Sequence, residues 1–204
     1  MKLIADDLAS IRGGRTLFSG LSFTVGEGEA LLLTGPNGAG KTTLIRTIAG
    51  LLGPAAGSVR LEGGGADRSV GEQCHYVGHL NAIKSALTVE ENAAFWCRFL
   101  GGEAERIATA LAAFGLDALR DIPAAYLSAG QKRRLGLARV LVAERPIWLL
   151  DEPTVSLDEA AQAVLARAVD AHTGHGGLVV AATHMPLAFA GARELRLGRA
   201  AAAA

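Results

Sequence analysis

Features that would place a chain outside the cell or inside a bilayer are scarce in this sequence. It has only two cysteines, Cys74 and Cys97. They lack C-x-x-C spacing, so neither a disulfide framework nor a thiolate metal knuckle is indicated, and a reduced, cytosolic setting is expected. No apolar run approaches the roughly eighteen uninterrupted residues that a membrane span requires. The opening Met1-Lys2-Leu3-Ile4-Ala5-Asp6-Asp7 carries acids where a secretory segment would be apolar, so no signal peptide is expected. An excess of one charge is also missing: Lys plus Arg and Asp plus Glu number 20 each. No field of either sign therefore points to nucleic acid or anionic lipid, and any membrane role has to come through a partner. The 26 glycines follow no fixed period and read as compositional bias. The run Ala200 to Ala204 has no evident role.

With 204 residues the chain is long enough for one domain, or one domain with a subdomain, around a substantial core. Short strands are expected over Met1 to Leu8 and Ser22 to Val25, around a turn at Gly13-Gly14. After a turn at Glu27-Gly28-Glu29, the apolar run Ala30 to Thr34 reads as a strand, and a helical pattern follows from Thr43 to Leu51. Ser58 to Glu62 reads as a strand broken by Gly63-Gly64-Gly65, and His75 to His79 as a short strand running into a loop. Thr88-Val89-Glu90-Glu91 has capping-box spacing before a helix over Asn92 to Leu100, and another helix is expected from about Glu103 to Phe114. A long helix opens near Ser128 and continues through Lys132 to Ala143. Ile147 to Leu150 and Leu178 to Ala182 read as buried strands, Leu157 to His172 as a helix, and Glu194 to Leu197 as a last strand. Strands alternating with helices predict an α/β fold with a mainly parallel sheet.

Between the third strand and its helix lies Gly35-Pro36-Asn37-Gly38-Ala39-Gly40-Lys41-Thr42, with Thr43 next. This fits G-x-x-x-x-G-K-[ST] in the strand-loop-helix context that the pattern requires. Glycines let consecutive N–H groups turn inward around an anion, and the helix that follows adds about half a positive charge at its N-terminus. Lys41 is placed to reach the β- and γ-phosphates of a nucleoside triphosphate, and the Thr42 hydroxyl to hold Mg²⁺. A second apolar strand ends at Asp151-Glu152. Ligands of open α/β sheets sit at such C-terminal strand ends, so Asp151 is a candidate for Mg²⁺ and Glu152 for polarising the attacking water. Cys74, His75 and His79 carry soft metal ligands, but successive strand residues point to opposite faces and do not readily converge.

Leu127-Ser128-Ala129-Gly130-Gln131 resembles the L-S-G-G-Q signature of the ATP-binding cassette ATPases, with Ala129 in place of the first glycine. The resemblance covers nearly the whole chain in the family's order: phosphate loop, helical insert, signature, Asp-Glu strand, Ser156-Leu157-Asp158 and His184. It implies a P-loop NTPase of the cassette type with a mainly parallel core sheet, an N-terminal antiparallel β portion and a helical subdomain. The core would comprise approximately 1–86 and 123–204, and the helical insert 87–122. It also implies a head-to-tail dimer with a second copy, in which Ser128 and Gly130 serve the partner's ATP and Asp158 lies near the interface. His184 would contact the γ-phosphate and help hold Glu152. Charge supports the pairing: ATP brings roughly four negative charges, against about two from Mg²⁺, one from Lys41 and half from the first helix.

Two positions depart from the family's pattern. Arg12 stands where an aromatic usually stacks on the base, and either its planar guanidinium or Phe18 can serve. His79 stands near the usual metal-contacting glutamine, so its charge would depend on pH. Residues Phe95, Trp96, Phe99, Leu100, Ile107, Leu111 and Phe114 of the insert are expected to be mostly core, with Trp96 the candidate for an exposed patch facing membrane subunits.

Tyr76 to Lys84, Leu87 to Asn92, Gln131-Lys132-Arg133-Arg134 and Thr183-His184-Met185-Pro186-Leu187 look like the ATP-binding subunits of bacterial cytochrome c maturation systems. That resemblance implies integral membrane partners, an indirect link to heme, and a peripheral position on the cytoplasmic face of the inner membrane. A cassette ATPase for another transported substrate, or a soluble mechanochemical one, are the alternatives.

Overall fold

The computed structural model describes residues 1–184, 187 and 189–198. The Met185-Pro186 part of the maturation-system resemblance and the terminal alanines lie outside them. The chain forms two compact units: Met1–Tyr76, Pro146–Glu152 and Val169–Ala204 make the first, Val77–Arg145 and Pro153–Ala168 the second.

In the first unit, β1 (Lys2–Arg12), β2 (Arg15–Gly26), β3 (Ala30–Thr34), α1 (Lys41–Ile48) and β4 (Ala56–Glu62) follow one another. A three-stranded antiparallel sheet has the order β2-β1-β4. The second sheet adds β5 (Cys74–Val77), β6 (Ile147–Asp151), β7 (Leu178–Ala182) and β8 (Arg193–Arg196), in the order β5-β6-β7-β3-β8. Its β6-β7, β7-β3 and β3-β8 pairs are parallel, as the alternation of strands and helices predicts. Every residue of β6 and β7 is buried, which explains why both read as unbroken apolar runs. Leu33, Leu44, Ile45, Leu149 and Val180 are among the side chains of one core joining α1 to the sheet. Each such side chain contributes about 1.5–3 kcal/mol on burial.

The N-terminal strands run further than the expected Met1 to Leu8 and Ser22 to Val25. The ladder slips between Ala5 and Leu8 and again between Leu8 and Ser10, so the inside-outside alternation breaks while the pairing continues. Asp7, at the first slip, has φ +48°. Helix α1 starts two residues earlier than the pattern Thr43 to Leu51 suggests and stops at Ile48. Gly50 at φ +71° turns the chain, and Leu51 N–H returns to the Arg46 carbonyl.

In the second unit, α2 (Val89–Leu100) begins with the expected capping box: Thr88 accepts from Glu91 N–H and Glu91 accepts from Thr88 N–H. It is followed by α3 (Arg106–Ala113) and α4 (Ala129–Ala138). Helix α4 is shorter than the expected run to Ala143, because Val140 and Leu141 N–H bond three residues back and tighten the last turn. Of the insert residues, Ile107, Leu111 and Phe114 are buried, but Phe99 is 70% exposed. The exposed aromatic of α2 is thus Phe99, with Trp96 half-buried beside it at a ring separation of 5.6 Å. Helix α5 (Glu159–Gly174) begins in this unit and ends in the first. Among the described residues, no helix is long and apolar enough to cross a membrane.

Candidate active site

The phosphate loop leaves β3 through Gly35, whose φ is +129°. A Cβ there would lie 2.3 Å from the Leu197 carbonyl oxygen, so position 35 excludes any side chain. Gly40, at φ +98°, is the N-cap of α1, and a Cβ on it would press on Phe18 at 3.0 Å. Phe18 is itself buried in the core beneath the loop. Its ring supports the loop from below, and Arg12 lies exposed beside the β1-β2 turn.

Pro36, Asn37 and Gly38 are exposed, whereas Ala39, Gly40 and Lys41 are buried. The Lys41 ammonium donates to the Gly35 carbonyl at 2.7 Å and to that of Pro36 at 3.4 Å, which holds a positive charge inside the loop. Thr42, next to Thr43 in the first turn of α1, donates its hydroxyl to Asp151 Oδ1 at 3.0 Å. Asp151 is 1% exposed at the end of β6, so this contact joins the loop to the Asp-Glu strand within the first unit.

Glu152 follows with φ +48° and directly precedes Pro153. A left-handed backbone costs a side-chain-bearing residue about 1–2 kcal/mol, and a following proline disfavours helical conformations further. The turn is held by Glu152 N–H donating to the Ala182 carbonyl at 2.9 Å. It delivers the carboxylate to His184, just beyond β7, where Nδ1 lies 2.7 Å from Glu152 Oε2. A carboxylate accepts, so Nδ1 carries the proton in this contact.

The signature lies in the second unit. Leu127 is buried, Ser128 and Ala129 are exposed, and Gly130 and Gln131 are half-buried. Ser128 is the N-cap of α4: its hydroxyl accepts from Gln131 N–H at 3.2 Å, and Gln131 Oε1 accepts from Ser128 N–H at 2.8 Å. The S-x-x-Q spacing states this capping box in the sequence, though it is easily overlooked beside the signature. A Cβ on Gly130 would lie 3.0 Å from the Ser156 carbonyl, so the helix approaches Ser156-Leu157-Asp158 closely at that glycine. Ser156 adopts φ +65°, and Asp158 Oδ1 accepts from Ala161 N–H at 2.8 Å near the start of α5.

His79 is exposed on the loop after β5. Cys74, by contrast, is buried and donates its thiol to the Val70 carbonyl. No group of three or more His, Cys, Asp or Glu side chains is arranged to hold a metal ion among the described residues. Sequence reasoning missed Arg133, which is 3% exposed inside the second unit. A basic residue in the exposed-looking run Lys132-Arg133-Arg134 gives no signal of burial.

A parallel sheet with a glycine loop feeding α1, and an Asp-Glu turn beside it, is the architecture of a P-loop nucleotide-binding protein. The sequence profile of the ABC transporter family matches residues 18–155. The cytochrome c biogenesis ATP-binding export protein CcmA of Rhodopseudomonas palustris strain BisB5 is 55% identical over 201 residues, which cover 98% of this chain and 100% of that protein. The protein of the same name from Nitrobacter winogradskyi is 54% identical over the same shares of the two chains. A solved structure of an ABC transporter ATP-binding subunit superposes with a TM-score of 0.82 at 26% identity, covering 91% of this chain and 80% of that one. The chain belongs to the ABC transporter family and, within it, to the CcmA proteins.

Proposed function

We propose that this chain is the ATP-hydrolysing subunit of a membrane complex that serves cytochrome c biogenesis through heme delivery. The observation that carries the catalytic reading is the assembly of Lys41, Thr42, Asp151, Glu152 and His184 in one unit, joined by the Thr42–Asp151 and Glu152–His184 hydrogen bonds. The full-length likeness to CcmA proteins carries the biological one.

The facing donors, a hydroxyl and a carboxylate oxygen, are hard ligands that suit Mg²⁺ better than a soft metal. Thr42 and Asp151 would hold the ion, which when bound neutralises charge on the phosphates. Gly35 to Thr43 bind the triphosphate, and Lys41 exchanges its loop carbonyls for phosphoryl oxygens. Glu152 takes the proton of the attacking water. His184 fixes that carboxylate through Nδ1 and presents Nε2 to the γ-phosphoryl group; donating through both nitrogens requires the imidazolium. Arg12 would offer its guanidinium plane to the base.

Leu127 to Gln131 complete the partner's site in a head-to-tail homodimer, with Ser156, Leu157 and Asp158 at the interface. Integral membrane subunits hold the dimer at the cytoplasmic face of the inner membrane. The balanced charge of 20 basic and 20 acidic residues offers nucleic acid no binding field.

Purification of the chain with its accompanying membrane proteins, followed by their identification and an ATPase assay, tests both halves. ATP turnover together with membrane partners needed for c-type cytochrome assembly is expected. Turnover without such partners would overturn the heme reading alone, and a chain that neither binds nor hydrolyses ATP would overturn the whole.

A further inference from the structure

Arg12 and Arg15 are cross-strand partners at the tip of the β1-β2 hairpin, and both are exposed. This hairpin lies against the phosphate loop: a Cβ on Gly40 would sit 3.2 Å from Leu17 as well as 3.0 Å from Phe18. The Phe18 ring, 6% exposed and packed in the core, is not available to a base. From Ile11 to Leu17 the hairpin carries no aromatic residue, so a base bound beside it meets guanidinium and aliphatic groups. A guanidinium plane can cover one face of a purine and leaves the other face open.

A ring of the missing kind stands beside the signature. Tyr126 is 81% exposed and lies two residues before Ser128. Its backbone is firmly held: Ala124 and Ala125 N–H donate to the Leu87 and Ser85 carbonyls, each at 2.9 Å, Tyr126 N–H donates to the Pro123 carbonyl at 3.0 Å, and the Lys132 ammonium donates to the Ala125 carbonyl at 3.3 Å. Ala124 and Leu127 are buried on either side of it. A lone exposed ring is ordinary on a protein surface, but one fixed in this way loses little freedom on meeting a ligand. Two residues span at most about 7 Å of chain, so a nucleotide whose phosphates meet Ser128 has its nucleoside end near the ring. We infer that Tyr126 is a base-binding residue acting in trans: its ring stacks on the adenine held by the second copy's phosphate loop, on the face opposite that copy's Arg12. The base then lies between a cation and an electron-rich ring, and each copy supplies the aromatic platform that the other lacks. The inference rests on the nucleotide-site and head-to-tail readings above.

Dimer formation by the Glu152→Gln chain, titrated with MgATP and followed by analytical ultracentrifugation, tests it. Tyr126→Ala in that background should raise the ATP concentration at half-dimerisation by about 5- to 150-fold, the loss of one base–aromatic stack, whereas Tyr126→Phe keeps the ring and should stay within about 2-fold. Equilibrium dialysis at chain concentrations too low for dimers should give ATP affinities within about 2-fold of the parent for both variants, because the ring serves the other copy's nucleotide. The photoreactive group of 2-azido-ATP is on the base and reports what lies against it. Irradiation of the parental dimer should label the Tyr126 peptide. In a mixture of Tyr126→Ala and Lys41→Ala chains, that label should fall on the Lys41→Ala copy, which keeps the tyrosine but has the weakened phosphate loop.

An unchanged half-dimerisation concentration in Tyr126→Ala would overturn the proposal, and so would label confined to the β1-β2 hairpin of the copy that binds the nucleotide. Loss of co-purifying membrane proteins from Tyr126→Ala, with ATP-dependent dimerisation intact, would overturn it by assigning the ring to a membrane subunit. A parent that binds ATP without dimerising would refute the head-to-tail reading, and one that binds no ATP would refute the nucleotide-site reading; the proposal falls with either.

Discussion

The Glu152–His184 contact makes the most demanding prediction. Glutamine at 152 keeps the shape and leaves an amide oxygen to accept from His184 Nδ1, now 2.7 Å from Oε2, but it removes the base. General-base catalysis contributes about 10²–10⁴-fold, or about 2.7–5.4 kcal/mol at about 1.36 kcal/mol per decade. ATP affinity should change by less than about 2-fold, because Lys41 and Thr42 make their contacts through other atoms. His184→Ala removes a hydrogen bond to a charged group, about 1.5–3 kcal/mol or roughly 10- to 150-fold. If the imidazole acts chiefly by holding the Glu152 carboxylate, little remains for it to do once the base is gone, and the double variant should be no more than about 3-fold slower than Glu152→Gln. Single-turnover phosphate release at saturating MgATP measures all four proteins, and size-exclusion chromatography should show Glu152→Gln collecting as an ATP-bound dimer. Parental turnover by Glu152→Gln would remove its assigned role. Fully multiplicative losses would show that the two side chains work independently despite their contact.

Three further perturbations separate effects that the structure superimposes. Lys41→Ala should weaken ATP use by roughly 10- to 150-fold, the loss of one charge-assisted contact of about 1.5–3 kcal/mol, measured as kcat/KM; normal turnover would refute the loop assignment. Ser128→Asp keeps an N-cap acceptor but removes the hydroxyl donor and adds a negative charge, so it should retain thermal stability and lose cooperative ATP hydrolysis. Ser128→Ala should lose both, with about 1 kcal/mol of stability visible in calorimetry. Equal activity of the Asp variant and the parent would mean that Ser128 serves only as a cap. His172 is stacked on Trp148 with centroids 4.1 Å apart, and burial pushes its pKa below the ordinary value. The unfolded chain then binds the proton more readily than the folded one, so stability is full above about pH 6.5 and falls as pH drops through the unfolded value. His172→Phe keeps a ring against Trp148 and should flatten the fall in Tm between pH 7.5 and 5.5, whereas an unchanged slope would refute the assignment.

How much of this was legible in the sequence depended on how local the cause was. The edges of β3 and β7 follow from short apolar runs bounded by turns, and the α2 capping box is stated by Thr88 and Glu91 alone. Strands β1 and β2 outran their pattern because bulges break the period of two that a sequence reading follows. The seven insert residues resembled a single core stripe, yet α2 turns Phe99 outward while Ile107, Leu111 and Phe114 go inward. Apolarity marks a residue as able to be buried without saying which neighbours will cover it. The acceptors that hold Arg133 include groups at positions 78, 81 and 153, and no window of sequence around the arginine contains them.

The same contrast explains why the candidate site could be located before its mechanics could be described. Glycine loops and strand-end acids are constrained by backbone chemistry that a short motif records in full: Gly35 must be glycine because a Cβ would strike Leu197. The placement of Glu152 is different. Its φ of +48° ahead of a proline is something neither residue favours, and the Ala182 carbonyl, contributed by the neighbouring strand β7, helps to hold the turn in place. That strand then continues to His184, so one parallel strand pair both fixes the backbone of Glu152 and supplies the imidazole that orients its carboxylate. Because β6 and β7 pair in register from Ile147–Leu178 to Asp151–Ala182, a slip of one residue would move the Glu152 turn and His184 apart together. The buried apolar runs that set this register are therefore as much a part of the candidate catalytic geometry as the two side chains that meet at its end.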